Sequence, residues 1–253
     1  MTSSSHDEPV SYPTYLHLAE LLDLQRPRSQ PVHPDELLFI VVHQASELWF
    51  KVMLHEIDHL VTHMGANDAL GALNTLKRLN GLMGIVSQSL TALDTLPPQR
   101  FAEFRGYLGS SSGSQSAQFR AIEAASGMRD EHFLHVLREH GPIPALVQRA
   151  LDRPTLQALF EQLLAKAGVT LEAVYAERET TPLFLLAEDL LQYEQGFSKW
   201  RFLHVQLVER IIGPLTGGTG GTLGAKYLQR TVSSRFFPAL WAVRSRVYGA
   251  SSS

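Results

Sequence analysis

The chain has 253 residues, 44% of them hydrophobic, enough to bury a sizeable core as one large domain or two small ones. Its 22 basic and 25 acidic residues give a net charge of −3, and no Lys/Arg run could track a phosphate backbone, so no nucleic-acid partner is expected. Zero cysteines exclude disulfides, Cys-ligated zinc, iron–sulfur clusters and thiolate-ligated haem, so any iron or zinc must be held by His, Asp, Glu or Tyr. The polar start, Met1 to Glu8, lacks a signal-peptide core, and the apolar run Leu37–Val42 is too short to span a bilayer. The expectation is a cytoplasmic protein with no membrane segment.

In chain order, residues 1–11 read as a flexible tail, as do Gly249–Ser253, leaving 12–248 as a single domain. A short amphipathic segment from Tyr15 ends in the Pro27–Pro34 stretch. Asp35 is placed to cap a long helix over about Glu36–Met64, and a second follows over about Ala69–Leu93, stopped by Pro97-Pro98. The Gly/Ser-rich stretch Gly109–Ser114 separates it from a helical segment at Gln115–Glu123. Helical periodicity continues through Arg129–Glu139, Thr155–Ala167, Val169–Arg178 and Phe184–Ile212. The glycine-rich loop Gly213–Gly224 then leads to closing segments around Tyr227–Val232 and Pro238–Val247. Nothing alternates as a strand would, so the expected fold class is all-α.

Three features could carry chemistry. His55-Glu-Ile-Asp-His59 puts two imidazoles one turn apart beside a glutamate, the spacing of a zinc hydrolase. A third histidine follows after four residues rather than six, and His55, His59 and His63 lie about 120–200° around the helix from His43, on the side where solvated residues belong. The glycine-rich loop matches neither the dinucleotide fingerprint nor a P-loop, but its glycines and threonines could form a flap that approaches a small ligand. Finally, His43 and His204 sit on apolar helical stretches, with Phe39, Phe50 and Leu54 around the first and Phe197, Trp200, Leu207, Val208 and Ile211 around the second. An imidazole buried without a partner is costly, so two of them, with a glycine flap just after the second, point to a buried flat cofactor with an axial ligand.

The segments Tyr12-Pro-Thr-Tyr15, Asp35 to Lys51, Phe104 to Arg120, Trp200-Arg-Phe-Leu-His204 and Gly218-Thr-Gly-Gly221 resemble the tryptophan 2,3-dioxygenase family, in order and at compatible spacing through to Phe236–Arg244. The resemblance implies an all-helical haem-binding domain of that type, with non-covalent haem b that is ferrous for O₂ activation. It implies, usually in a homotetramer, insertion of O₂ into the indole C2–C3 bond of L-tryptophan, or a close derivative, to give N-formylkynurenine. Carried over by motif, His204 matches the axial ligand to haem iron and His43 the distal histidine that meets the indole N–H. Arg105 matches the substrate-carboxylate clamp, Thr219 a contact to the amino-acid end, Phe39 and Phe101 walls of the indole pocket, and Tyr12 and Tyr15 residues lent by a neighbouring subunit.

The chain departs from the family pattern at Ser114, where an aromatic is common, in the loop before Gly218, and in a reduced region between about Met128 and Thr181. Two other outcomes are compatible with parts of this pattern: a haem-dependent monooxygenase forming a 2-oxindole from tryptophan or methyltryptophan, and a zinc hydrolase using His55, Glu56 and His59. A haem-binding sensor would have no use for Arg105 and Thr219, which argues for an amino-acid substrate.

Overall fold

The computed structural model describes residues 10–139, 141–177, 180–214 and 224–249. Among these there is no strand, and the chain is all-α as expected. In order the helices are α1 (Tyr12–Tyr15), α2 (Leu18–Leu22), α3 (Glu36–Gly65), α4 (Ala69–Leu90), α5 (Pro98–Arg105), α6 (Ala117–Ser126), α7 (Glu131–Glu139), α8 (Ala145–Leu151), α9 (Leu156–Ala167), α10 (Leu171–Ala176), α11 (Pro182–Ile212), α12 (Gly224–Val232) and α13 (Pro238–Tyr248). Several N-termini follow directly from local chemistry. The Asp68 carboxylate accepts from Gly71 N at 2.9 Å, and Ser116, Thr155 and Thr181 hydroxyls accept from the amides of Phe119, Ala158 and Phe184.

The core is organised around α4. Both long helices, α3 and α11, pack on α4 rather than on one another. Met53, Leu60, Leu76, Leu79, Met83, Leu190, Tyr193 and Phe197 are fully enclosed there, each apolar side chain contributing about 1.5–3 kcal/mol by leaving water. The α4–α11 crossing is close enough that a Cβ at Gly196 would come within 2.9 Å of Met83 Cγ. At the end of α6, Gly127 has φ +134 and lies against the Phe236 carbonyl, so it serves both the turn and the approach of the C-terminal segment.

Some sequence expectations are corrected. Ser11, placed in the tail, caps α1, while residues 1–9 and 250–253 lie outside the described residues. Pro97-Pro98 does not merely end a helix: Pro98 occupies the first turn of α5, where a missing N–H costs nothing. Between Pro144 and Pro154 lies α8, a seven-residue helix with too few turns to show periodicity in the sequence. Asp35 does not cap α3 with its side chain but pairs with Arg100 of α5. Arg129, expected inside α7, precedes it and donates to the carbonyls of Ala124, Ala150 and Leu151, closing the C-terminal ends of α6 and α8.

The uninterrupted apolar run is short, but an 18-residue window within α3 has a mean hydropathy of 1.4, a length and composition that a core helix shares with a membrane-crossing one. The C-terminal half of α3 buries Met53, Ile57, Leu60 and Met64 in the core, whereas Leu37, Val41, Leu48 and Val52 are exposed.

The C-terminal segment is held by one buried carboxylate. Glu194, with no exposure at all, accepts from Phe236 N at 2.6 Å, Phe237 N at 2.8 Å, Trp241 Nε1 at 2.6 Å and Arg235 Nη1 at 3.0 Å. Truncation would strand buried donors at about 1–3 kcal/mol each. Glu194→Ala is therefore expected to lower unfolding stability by at least about 2 kcal/mol in urea titration, and an unchanged midpoint would refute this role.

Candidate functional site

Because α3 and α11 each rest on α4 and not on each other, a cleft remains between them. Its cavity volume is about 120 Å³, and it opens broadly to solvent. From α3 come Val42, His43, Ser46, Glu47 and Phe50, spaced so that one helical face points inward. α6 supplies Phe119, Arg120 and Glu123, α11 supplies Trp200, Arg201 and His204, and α12 supplies Leu228 and Thr231. Leu90 and the Gly113–Ser116 turn complete the wall, so Ser114, where the family pattern has an aromatic, borders the cleft itself.

Folding thus brings His43 and His204, 161 positions apart in sequence, to one cavity. Neither is a packed core histidine. His43 is an exposed residue on the cleft wall, yet the protein around it is dense enough that desolvation pulls its pKa below the ordinary value, outweighing the Phe39 carbonyl and the Glu47 charge that raise it. His204 is pulled down to about 4, by desolvation first and then by repulsion from His43, when that ring is protonated, and from Arg120. Both imidazoles are therefore neutral near pH 7, the state in which a ring nitrogen can bind a metal.

Their hydrogen bonding distinguishes them. His43 Nδ1 lies 2.7 Å from the Phe39 carbonyl oxygen, which can only accept, so Nδ1 carries the proton and Nε2 keeps its lone pair. Such a ring presents an acceptor to whatever enters the cleft. His204 stacks on Trp200 at 5.1 Å, and neither ring nitrogen has a hydrogen-bond partner among the described residues. Trp200 also packs against Phe119, tilted, at 4.8 Å between ring centroids, which makes the wall beside His204 aromatic and apolar.

A charge cluster forms one side of the cleft. Glu123 bridges two cations, accepting from Arg120 Nη1 and from Arg201 Nη2, both at 2.7 Å. Glu123 is 1% exposed and Arg201 3%, and Arg201 Nη1 also donates to the Thr231 carbonyl at 3.0 Å. Sequence reading missed this cluster. Arg120 and Glu123 one turn apart, and Arg201 one turn before His204, were the available signal, but only packing reveals that they meet.

The remaining expected residues fall around this cleft rather than in its described lining. Phe39 lies 4.2 Å from the His43 ring and 5.6 and 5.8 Å from Phe101 and Phe104. Arg105 is the half-buried last residue of α5, the helix that carries both of those rings. Tyr12 and Tyr15 are each 74% exposed on α1 and reach no cleft of their own chain. Thr219 and most of the glycine-rich loop lie outside the described residues.

The zinc arrangement is not assembled. His55 and His59 are exposed with their Nε2 atoms 3.1 Å apart, but Glu56 points the other way, buried and paired with Arg78 at 2.9 Å. Among the described residues no three potential ligands cluster to hold a metal ion.

The model of the tryptophan 2,3-dioxygenase family matches residues 2–142 and 151–247. The chain belongs to the tryptophan 2,3-dioxygenase family. A protein of that name from Kineococcus radiotolerans is 38% identical, the alignment covering 94% of this chain and 91% of the relative. Those from Saccharopolyspora erythraea (37%; 94% and 93%) and Bacillus anthracis (38%; 95% and 94%) are similar to it over comparable lengths. The break in the family match, residues 143–150, falls within the stretch where the sequence departs from the tryptophan 2,3-dioxygenase pattern.

The histidine shift has a measurable consequence. Folded His204 binds a proton only near pH 4, whereas the unfolded residue does so near 6.5, so between these values the unfolded chain holds more protons. Stability of the cofactor-free protein is expected to fall as pH drops through that window. His204→Leu should flatten the slope of unfolding free energy against pH, and an unaltered slope would contradict the shift.

Proposed function

We propose that this chain inserts O₂ into the indole C2–C3 bond of L-tryptophan, or a close derivative, to give N-formylkynurenine, with haem b held at His204. The observation that carries this reading is the pair of neutral imidazoles lining one cleft, one with no hydrogen-bond partner and one presenting only a lone pair. The residues suit the group. Without cysteine, an imidazole is the natural axial ligand, the Trp200 and Phe119 rings and Val42 and Leu90 accept a flat apolar macrocycle, and the cationic side of the cleft suits its carboxylates. Arg201 Nε is buried with no partner among the described residues, a donor still to be satisfied on that side.

Haem held at His204 would supply the activation of dioxygen, at ferrous iron. The chain's own contribution is position. His43 Nε2 accepts the indole N–H and so fixes the in-plane rotation of the ring, and attack on an electron-rich indole does not require that proton to be removed first. Arg105, at the C-terminal end of the α5 aromatic cluster, receives the substrate carboxylate through its planar fork. Phe39 and Phe101 keep the space beside His43 apolar and exclude water from the oxidised ring. Thr219 contacts the amino-acid end of the substrate.

The exposed apolar side chains Tyr12 and Tyr15 on α1, and Leu37, Val41, Leu48 and Val52 on α3, support a homotetramer in which α1 of one copy serves the site of another. Light scattering is expected to give four times 28.1 kDa.

Purified wild type is expected to be red, with a Soret band that moves on CO binding. His204→Ala should lose stable haem, whereas His43→Ala should keep it and lose turnover; equal haem occupancy in wild type and His204→Ala would sink the ligand assignment. From L-tryptophan under ¹⁸O₂ the product should carry two labelled oxygens, and a single label would mean monooxygenation instead.

A further inference from the structure

The cluster of Arg120, Glu123 and Arg201 does more than a haem pocket needs for packing. Two guanidinium groups share one carboxylate there, and arginine does not release its proton, so both cations persist over the working pH range. All three side chains border the cleft that His204 lines, and Arg201 precedes His204 by one helical turn. Glu123 and Arg201 are almost wholly removed from water, where a charge is screened less and acts over a longer distance. Glu123 is the only carboxylate joined to the two arginines among the described residues, since the other acid on the cleft wall, Glu47, is on α3 beside His43 and accepts from Gln118 Nε2 at 2.8 Å.

The same carboxylate has a mechanical role. It links α6 to the turn of α11 that presents His204, and Arg201 extends the link to α12 through the Thr231 carbonyl and to the Phe236 ring 5.1 Å away. Resting on the haem assignment above, we propose that Glu123 is a positioning residue that also sets the reduction potential of iron held at His204. By offsetting one of two buried cations, it limits how strongly the pocket favours the ferrous over the ferric state. Its removal would make the surroundings more positive and the less positive iron state more favourable; removal of Arg120 would do the reverse.

The test is a spectroelectrochemical titration of the haem-loaded full chain, reading the one-electron conversion of ferric to ferrous iron with dithionite as reductant. Glu123→Gln is expected to shift the midpoint positive, Arg120→Gln to shift it negative, and the double variant to return it near wild type. Arg120→Lys, which keeps the charge and loses the fork, should stay near wild type. A merely structural role would weaken haem retention without signed, cancelling shifts, so unmoved midpoints or shifts of one sign in both single variants overturn the proposal. If Glu123→Gln does not fold, the contrast between Arg120→Gln and Arg120→Lys decides alone: equal midpoints refute it. Failure of wild type to bind haem would instead refute the assignment on which the proposal rests.

Discussion

The site exists because two long helices share a support and not an interface. α3 and α11 each bury their apolar faces on α4, with Leu76, Leu79 and Met83 enclosed between them, and this leaves a gap that α6 and α12 wall in but do not fill. Native interiors are close-packed, so a cleft of this size between core helices is held open by rigid surroundings, not left by loose packing. The close crossing at Gly196 and the enclosed Phe197 fix where α11 runs, and thereby where Trp200, Arg201 and His204 emerge along it.

Within that gap, desolvation works in one direction on both histidines. It keeps them neutral, and the different bonding of their second nitrogens then separates their roles. A donor from His43 Nδ1 to its own helix aims an acceptor into the cleft, while His204, without such a tether, is oriented by stacking on Trp200. Charge is managed separately, by Glu123 between Arg120 and Arg201, a buried network whose members are nearly all satisfied.

Much of the fold was legible in the chain. The long helices over residues 36–65 and 182–212 followed from periodicity, a local property of one segment, although the second begins at Pro182 under a Thr181 cap, one half-turn before the expected Phe184. What escaped were the short helices α5 and α8, whose existence depends on docking rather than on propensity, and the side chain of Asp35, drawn from its capping position to Arg100.

For the site, the candidates were readable from the chain: two imidazoles on apolar stretches, no thiol to compete with them, and motifs in the order of one enzyme family. It also placed His55 and His59 on the outer side of their helix, since helical rotation alone decides that. Only tertiary structure decided that His43 and His204 face a common cavity, that Glu56 turns into a salt bridge with Arg78, and that Arg120, Glu123 and Arg201 converge. The reason is physical: a residue's helical face is set by its near neighbours, but what lies opposite that face is set by long-range packing, and desolvation and charge pairing arise only once that packing has closed.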